Sequence, residues 1–237
     1  MRICKGLLIT FSGIDGSGKS TQIKLLMDYL QQEGQKPVYL WTRGGYTPLF
    51  ERLKRLLRRV ARRIVPPPGN NPQRAQAFNK KWVRQLWLGI ALLDLLWIYG
   101  VQVRYWRWRG RVVVCDRYLW DTLVDFHLYF YEEHVERWWL WRLLVRLTPQ
   151  PDAAFLLLVP VEEAVRRLNL KGEPFKESPS MLAQRLAQYQ LLAQCGHWIV
   201  MDGRRPVSEL ATEILKVVQS LRQTRPPCSF FNSHPPR

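Results

Sequence analysis

The residues best suited to chemistry lie near the start of the chain, where a run of residues fits the pattern GxxxxGK[S/T]. Glycines in such a loop let successive backbone N–H groups point into one concavity, and a following helix adds the positive end of its dipole. The lysine supplies a mobile positive charge, and the hydroxyl group after it can ligate Mg²⁺. This chemistry suits the phosphate chain of a nucleoside triphosphate. The residues are Gly13, Ile14, Asp15, Gly16, Ser17, Gly18, Lys19 and Ser20, followed by Thr21.

A second cluster of functional side chains follows the apolar run GRVVVC at 110–115. Asp116 and Arg117 come directly after that run, at the carboxyl end of a predicted strand. A carboxylate at that edge can hold Mg²⁺ through water, and an arginine beside it can bind a phosphate in bidentate fashion. The pair is therefore a second candidate for phosphate chemistry.

Two other groups of basic side chains could contact phosphate. Arg43 follows an apolar run at 37–42, and a basic side chain at the end of a strand faces the ligand crevice of an open α/β sheet. A helix-like segment from Val161 carries cations that, on a flap, could close over a transferring phosphoryl group. The alternatives are a solvated arginine in a turn and a solvated helix face. The cations of the second group are Arg166, Arg167 and Lys171.

The elements that must position these side chains can be read from apolar runs and helical spacing. After Ser20, apolar residues recur at helical intervals as far as Leu30, so the glycine loop lies between a strand and a helix. Strands alternate with helices along the chain, which predicts an α/β fold with the three-layer sandwich of P-loop NTPases. We expect about five parallel strands in the order 2-3-1-4-5. The predicted strands are 7–11, 37–42, 110–115, 153–159 and 197–201, and the later predicted helices are 73–109, 131–147, 181–194 and 207–221.

Charge and cysteine content indicate what kind of partner the protein binds and in which compartment it functions. The chain has 237 residues and a formal net charge of +17, with a sequence pI near 10.2. Such an excess of positive charge implies an anionic partner, whether nucleotide, nucleic acid or acidic membrane surface. The four cysteines lack CxxC spacing, which predicts neither a zinc site nor a disulfide framework and favours a reducing cytoplasm.

Two segments have the composition of helices that bind to a membrane surface or cross a bilayer. Residues 51–65 predict a basic amphipathic helix that could lie on anionic lipid, clamp phosphates, or dock as an ordinary surface helix. Residues 85–103 are long enough to cross a bilayer but contain Asp94, and they fall where a crossover helix is needed between parallel strands. We therefore predict a buried core helix there.

The glycine loop FSGIDGSGKSTQ, the Thr42–Arg43 pair, the CDRY sequence at 115–118 and the closing MDGRRPVSEL together resemble the thymidylate kinase family of nucleoside monophosphate kinases. The resemblance implies ATP- and Mg²⁺-dependent phosphorylation of a small-molecule monophosphate, with thymidylate as the default acceptor. It also implies a homodimer, and no sequence-specific binding of nucleic acid is expected. We expect one kinase domain at 1–222, including a basic helical segment at 50–72, and a disordered tail at 223–237.

The resemblance also implies roles for individual side chains. Asp15 would contact the acceptor sugar, and Asp116 would organise Mg²⁺ together with Ser20. Lys19 would act on the phosphates. The other implied roles are acceptor-phosphate binding by Arg43 and Arg117, lid catalysis by Arg166, Arg167 or Lys171, and a border to the adenine by Arg204 and Arg205.

The acceptor side departs from the family pattern. Counted back from Asp116, the phenylalanine and arginine that usually face thymine fall at Ala91 and Leu95. Gly44 follows Arg43 directly, where relatives usually have glutamate and proline. Two alternatives therefore stand beside thymidylate kinase activity: a P-loop kinase of a different or membrane-associated acceptor, and a nucleotide-binding adaptor at an anionic membrane with little turnover. After Tyr118, where the family shows serine and then an alanine, tyrosine and glutamine run, this chain has Asp121, Val124, Asp125 and Phe126.

Overall fold

The structure is a computed structural model that describes residues 6–42, 80–172, 177–196 and 198–224. Several sequence predictions lie outside these residues: Arg43, the basic helical segment at 50–72, the centre of the expected flap at 173–176, and most of the predicted tail.

A five-stranded parallel sheet forms the centre of the fold, with strand order β2-β3-β1-β4-β5. This confirms the predicted P-loop NTPase architecture and strand order. Its inner strands are buried on both faces, because helices cover a parallel sheet on each side. The strands are β1 (Leu8–Ser12), β2 (Val38–Trp41), β3 (Val113–Asp116), β4 (Ala153–Leu158) and β5 (Ile199–Asp202).

The first residues of the predicted helix at 73–109 lie outside the described residues, within which the helix runs from Lys81. The other helices begin and end close to the predicted positions, with two differences. A helix at Leu119–Tyr129 follows the CDRY sequence, where we predicted none, and the stretch at 131–147 contains two short 3₁₀ turns before its α-helix. Within the described residues the helices are α1 (Lys19–Gln32), α2 (Lys81–Trp97), α3 (Arg104–Trp108), α4 (Leu119–Tyr129), α5 (Trp139–Leu147), α6 (Val161–Lys171), α7 (Pro179–Gln194) and α8 (Val207–Gln223).

A π-helical segment, Ile98–Val103, joins α2 to α3. Helix, π segment and helix together run from Lys81 to Trp108, which is long and apolar enough to cross a membrane by length and composition alone. Only 44% of its most apolar window is buried in the protein. The prediction of a core helix at 85–103 is therefore correct for one face of the helix and wrong for the other.

The chain divides into two compact units. The first comprises residues 1–40, 104–116 and 150–237 and contains nearly the whole sheet. Its core lies between the sheet and the helices α1 and α8, and includes a stacked pair, Phe11 and Phe155, with ring centroids 5.1 Å apart.

The second unit comprises residues 41–103 and 117–149. Helices α2 and α5 pack against each other within it. Phe126 and Trp141 meet edge to face, with ring centroids 6.3 Å apart. An ion pair of 2.7 Å joins the partly exposed Arg84 to the buried carboxylate of Glu133, and it ties the start of α2 to the first 3₁₀ turn.

Candidate active site

The glycine loop lies between β1 and α1, as the sequence predicted. Gly13, Gly16 and Gly18 all have positive φ angles, of 140°, 84° and 97°. At Gly16 a Cβ atom would come within 2.7 Å of the backbone oxygen of Ala164. Because only glycine combines that φ with such close contact, the loop can pack on the start of α6.

Lys19, the first residue of α1, is folded back over this loop. Its Nζ donates to the carbonyl oxygens of Gly13, at 2.9 Å, and Ile14, at 2.8 Å. The residue is only 6% exposed, so its ammonium group lies within the loop rather than in solvent. This geometry holds a positive charge at the point where phosphates would enter.

Asp116 is the last residue of β3 and pairs in register with Phe11 of β1. Since the strands are parallel, its carboxylate lies at the same edge of the sheet as the glycine loop. Tyr39 of β2 donates a hydrogen bond of 3.3 Å from its hydroxyl to Asp116 Oδ2. Burial, reinforced by the Asp116 charge and this hydrogen bond, raises the pKa of Tyr39 to about 12.

Helix α6 directs one of its arginines at the glycine loop. Arg167 Nη1 lies 3.4 Å from the carbonyl oxygen of Gly16, a weak hydrogen bond. Arg167 and Arg166 both donate to Glu163, from their Nε atoms at 2.6 and 2.8 Å. These hydrogen bonds, that of Arg166 first, lower the pKa of Glu163 to about 2, so it stays charged and orients both guanidinium groups. Lys171 ends the same helix and is exposed.

The turn after β5 also approaches the loop. A Cβ atom at Gly203 would lie 2.8 Å from the backbone oxygen of Ser17, so the two backbones are in close contact. Arg204, the next residue, forms a 2.7 Å ion pair with Asp202 and is well exposed. The hydrogen bonds from Arg204 lower the pKa of Asp202 to about 2. Arg205 pairs instead with Glu213 of α8, at 2.7 Å.

The side chains predicted to hold Mg²⁺ fit that ion chemically. Ser20 is exposed at the second position of α1, and Asp116 is 7% exposed at the neighbouring strand end. Both offer oxygen atoms, which Mg²⁺ prefers, and few protein ligands leave room for water and phosphate oxygens. Of the remaining loop residues, Ile14 is buried, Asp15 is partly buried and Thr21 is exposed.

In the second unit, two motifs far apart in sequence come together. The hydroxyl of Thr42 donates to the carbonyl oxygen of Arg117 at 3.1 Å, and lies 2.7 Å from the hydroxyl of Tyr99. Arg117 has φ 71°, an uncommon backbone conformation for a side chain of its size, and is 3% exposed. Tyr99 belongs to the π segment and packs on Tyr118, with ring centroids 4.5 Å apart. This chain of contacts holds the backbone of Arg117 in its strained conformation.

Comparison with known proteins agrees with this geometry. A family profile described as thymidylate kinase matches residues 11–64 and 105–214. This chain belongs to the thymidylate kinase family. It is similar to a thymidylate kinase of Herpetosiphon aurantiacus, with 32% identity over 84% of this chain and 76% of the relative. A probable thymidylate kinase of Pyrococcus abyssi is 30% identical over 91% of this chain and 97% of its own length. A thymidylate kinase of Plasmodium falciparum is 24% identical, with 92% of each chain covered.

Membership of the thymidylate kinase family makes the protein a phosphotransferase. The family match is interrupted between residues 65 and 104, which includes α2 and the whole π segment. Ala91 and Leu95 lie there and are 2% and 0% exposed, so both are packing residues of α2. Further along, α4 buries Asp121, Val124, Asp125 and Phe126, and Asp121 accepts a 2.8 Å hydrogen bond from the N–H of Tyr118.

Three residues of the site were not among the predictions. Glu163 could have been found from its spacing, because glutamate three and four residues before two arginines is a helix ion-pair pattern. Gly203 lies in the quoted MDGRRPVSEL sequence, but nothing in the sequence indicates its contact with Ser17. Nothing in the sequence indicates the hydrogen bond from Tyr39 to Asp116, because the two residues are 77 positions apart in the chain.

Proposed function

We propose that this protein transfers the γ-phosphoryl group of ATP to a nucleoside monophosphate, with thymidylate as the default acceptor and Mg²⁺ as the metal. The observation that carries the proposal is the placement of the loop around Lys19 and of Asp116 at the same edge of the sheet, where the adjacent strands β1 and β3 end. A lysine ammonium group and a carboxylate that can hold Mg²⁺, both placed where parallel strands end, suit phosphoryl transfer. That reaction depends mainly on the positioning of the reactants and on electrostatics.

The roles of the side chains follow from charge and position. Lys19 exchanges its contacts with the loop carbonyls for oxygens of the β and γ phosphates. Ser20 and Asp116 would hold Mg²⁺ through oxygen, and the ion would neutralise negative charge on the phosphates. Arg167 donates to the transferring group from the side of α6, with Arg166 and Lys171 as further lid cations. Backbone N–H groups of the loop, between Gly13 and Thr21, orient the phosphate chain.

The acceptor-side roles extend the same proposal. Arg43 and Arg117 bind the acceptor phosphate, and Asp15 contacts the acceptor sugar. Arg204 borders the adenine, since it follows the Gly203 turn beside Ser17. We propose a cytoplasmic enzyme, and the homodimer implied by the resemblance stays a prediction.

A different monophosphate acceptor is the second candidate, and one observation favours it. Counted back without gaps from Asp116, the positions that usually read thymine fall at Ala91 and Leu95, which are both apolar and buried. Neither can donate or accept the hydrogen bonds that distinguish one base from another. Family membership favours either kinase over an adaptor with little turnover.

The test is an ADP-release assay with purified protein over a panel of nucleoside monophosphates, with the Pyrococcus abyssi relative assayed beside it. We expect turnover of at least one acceptor, and loss of turnover in Lys19→Ala while Lys24→Ala, on the exposed side of α1, stays active. Turnover of thymidylate at the relative's level would exclude the second candidate. If no monophosphate is turned over and Lys19→Ala binds ATP as tightly as the unchanged protein, the kinase proposal is wrong.

A further inference from the structure

The π segment changes which residue of α2 stands where the acceptor base is usually contacted. In a π turn each N–H bonds to the carbonyl five residues back rather than four, so the turn holds about one residue more than an α-helical turn. The segment lies between α2 and Asp116, and the family match, which is interrupted there, does not set the count between them. With the extra residue included, the two thymine-facing positions move from Ala91 and Leu95 to Ile90 and Asp94.

Asp94 departs from the apolar pattern of its helix. It is the only charged residue between positions 85 and 103 of the sequence, and it is 4% exposed, with the fully buried Leu92 and Leu95 beside it. The burial of a carboxylate is costly, whereas leucine at the same position would bury apolar surface instead. A residue that breaks the pattern of its own helix in this way is expected where it has a function. The position of Asp94 agrees with the count that includes the π segment.

The turn that follows Asp94 leads to the arginine proposed to bind the acceptor phosphate. Tyr99 lies five residues further along and is fully buried, and its hydroxyl is 2.7 Å from the hydroxyl of Thr42. The Thr42 hydroxyl donates to the carbonyl oxygen of Arg117 at 3.1 Å. Over five residues a helix advances only about 7 Å, at about 1.5 Å per residue. Within the second unit, to which all four residues belong, a short series of contacts therefore connects the proposed base position with the proposed phosphate position.

A carboxylate and a guanidinium group select opposite hydrogen-bonding patterns. Arginine only donates hydrogen bonds, which suits the carbonyl oxygens of thymine, whereas an ionised aspartate only accepts them. Thymine offers two carbonyl oxygens on either side of a single N–H, so a carboxylate beside it would face oxygen atoms. The amino group of cytosine, adenine or guanine donates instead, and aspartate is a known acceptor for the amino group of cytosine. The change from arginine to Asp94 therefore favours a base that carries an amino group.

We infer that Asp94 contacts the acceptor base, and that the acceptor is a nucleoside monophosphate whose base carries an amino group. Asp94 is then a specificity residue and takes no part in the transfer of the phosphoryl group. The inference rests on the proposed kinase function and names the acceptor class of its second candidate, in place of thymidylate.

The first experiment measures acceptor binding to the full chain by calorimetry, without ATP. Deoxycytidylate and deoxyuridylate differ only in an amino group against a carbonyl oxygen at one ring position, and deoxyadenylate and deoxyinosinate differ in the same way. Deoxyguanylate differs from deoxyinosinate by an added amino group. We expect the amino-bearing member of at least one pair to bind about tenfold or more tightly than its partner and than thymidylate.

The second experiment tests the residue itself with Asp94→Asn. The amide keeps the shape of the carboxylate but adds N–H donors, so the preference within the pair should fall by about tenfold or more. The matched control is Glu133→Gln, the same chemical change at another buried carboxylate of the second unit, which should keep the preference within about twofold. Because the preference is a ratio of two affinities measured on one protein, a partial loss of folded protein does not alter it. ATP affinity should be unchanged in both variants.

A preference for an amino-bearing base that Asp94→Asn removes and Glu133→Gln keeps supports the inference. Equal binding within every pair overturns it, as does tighter binding of thymidylate, no binding of any monophosphate, or a preference that Asp94→Asn leaves in place. ADP release with the same acceptors separates the two proposals, because binding with this preference but without turnover rejects the kinase function alone. Circular dichroism shows whether Asp94→Asn folds, and if it does not, the pairs measured with the unchanged protein decide.

Discussion

The first unit contains the glycine loop at 13–21, Asp116 and Arg167, which together we call the phosphate end. This phosphate end follows the family more closely than do the helices of the second unit. In the first unit the loop, Lys19, Asp116 and Arg167 converge at one sheet edge, and the profile match covers all of them. In the second unit the match stops from residue 65 to 104, where helix α2 carries Ala91 and Leu95. Phosphate is common to every substrate of a kinase family, whereas the acceptor varies. The first unit therefore carries the features expected for phosphoryl transfer, whereas the helix on which the thymine-facing positions are expected lies outside the family match.

The largest expected effect is a loss of ATP affinity at the phosphate end, caused by a change of one loop glycine. Gly16→Ala places a Cβ atom 2.7 Å from the backbone oxygen of Ala164 at a φ of 84°. Since backbone must move to relieve the contact, we expect ATP binding to weaken by about 100-fold or more. Isothermal titration calorimetry with ATP and Mg²⁺ measures it.

The matched control for that change is Gly34→Ala. Gly34 has a similar φ, 72°, but a Cβ atom there meets nothing within 4 Å. It should lose about 1 kcal/mol of stability from backbone strain and keep its ATP affinity. Equal ATP affinities for the two variants would show that the loop is not the nucleotide site.

Changes to the arginines of α6 should have a smaller effect on activity. They test which of these side chains belongs to the phosphate end. Arg167 reaches the loop at Gly16, whereas the side chain of Arg166 is 62% exposed and pairs only with Glu163 among the contacts seen. Arg167→Ala should lower kcat by about 10- to 100-fold with little change in KM for ATP, because it would act in the transition state. Arg166→Ala should lower kcat by less than about fivefold. Steady-state kinetics decides, and a larger loss for Arg166→Ala would reverse the assignment.

Most of the phosphate end could be predicted from sequence because its signals are local. The GxxxxGK[S/T] run, the apolar strands and the CDRY sequence each lie within a few residues, and parallel strand order brings their ends together. The π segment could not be predicted, because its apolar pattern resembles that of an α-helix. Its consequence, the contact of Tyr99 with Thr42 beside Arg117, depends on residues far apart in the chain. The exposed apolar face of α2 could not be predicted for a similar reason. The sequence shows that a helix is apolar, but not how much of its circumference other helices cover.

The second unit can be tested apart from the first through its ion pairs. Glu133 has a side chain only 1% exposed and accepts from Arg84 at 2.7 Å and from Gln85 at 3.1 Å. Glu133→Gln removes the charge that compensates Arg84, and should lower the free energy of unfolding by about 2 kcal/mol. Glu132 pairs with the same Arg84 but is 79% exposed, so Glu132→Gln should cost less than about 0.5 kcal/mol.

Urea unfolding of both variants gives these values, and ATP titration should leave both affinities unchanged. Equal destabilisation by the two changes would mean that burial of Glu133 contributes nothing. A loss of ATP affinity in Glu133→Gln would show that nucleotide binding depends on the helices of the second unit, contrary to this prediction.

The smallest effect concerns Tyr39, a feature of the phosphate end that the family resemblance did not predict. Burial and the neighbouring Asp116 raise its pKa from 10.0 to about 12, so the neutral hydroxyl is favoured in the folded protein. The stabilisation is fully present below pH 10 and is lost as the pH rises towards about 12. Over that interval the free energy of unfolding should fall more steeply in the unchanged protein than in Tyr39→Phe.

A difference titration of tyrosinate absorbance, unchanged protein minus Tyr39→Phe, isolates this residue from the other tyrosines. Its midpoint should lie near 12 and should move down in an Asp116→Asn background, because the Asp116 charge and the hydrogen bond to it both raise the pKa of Tyr39. A midpoint at 10.0, or one that Asp116→Asn leaves in place, would contradict the contact. A shift of the expected size would mean that Asp116 is held by β2 as well as by its own strand, so the carboxylate is oriented before any ligand reaches the loop.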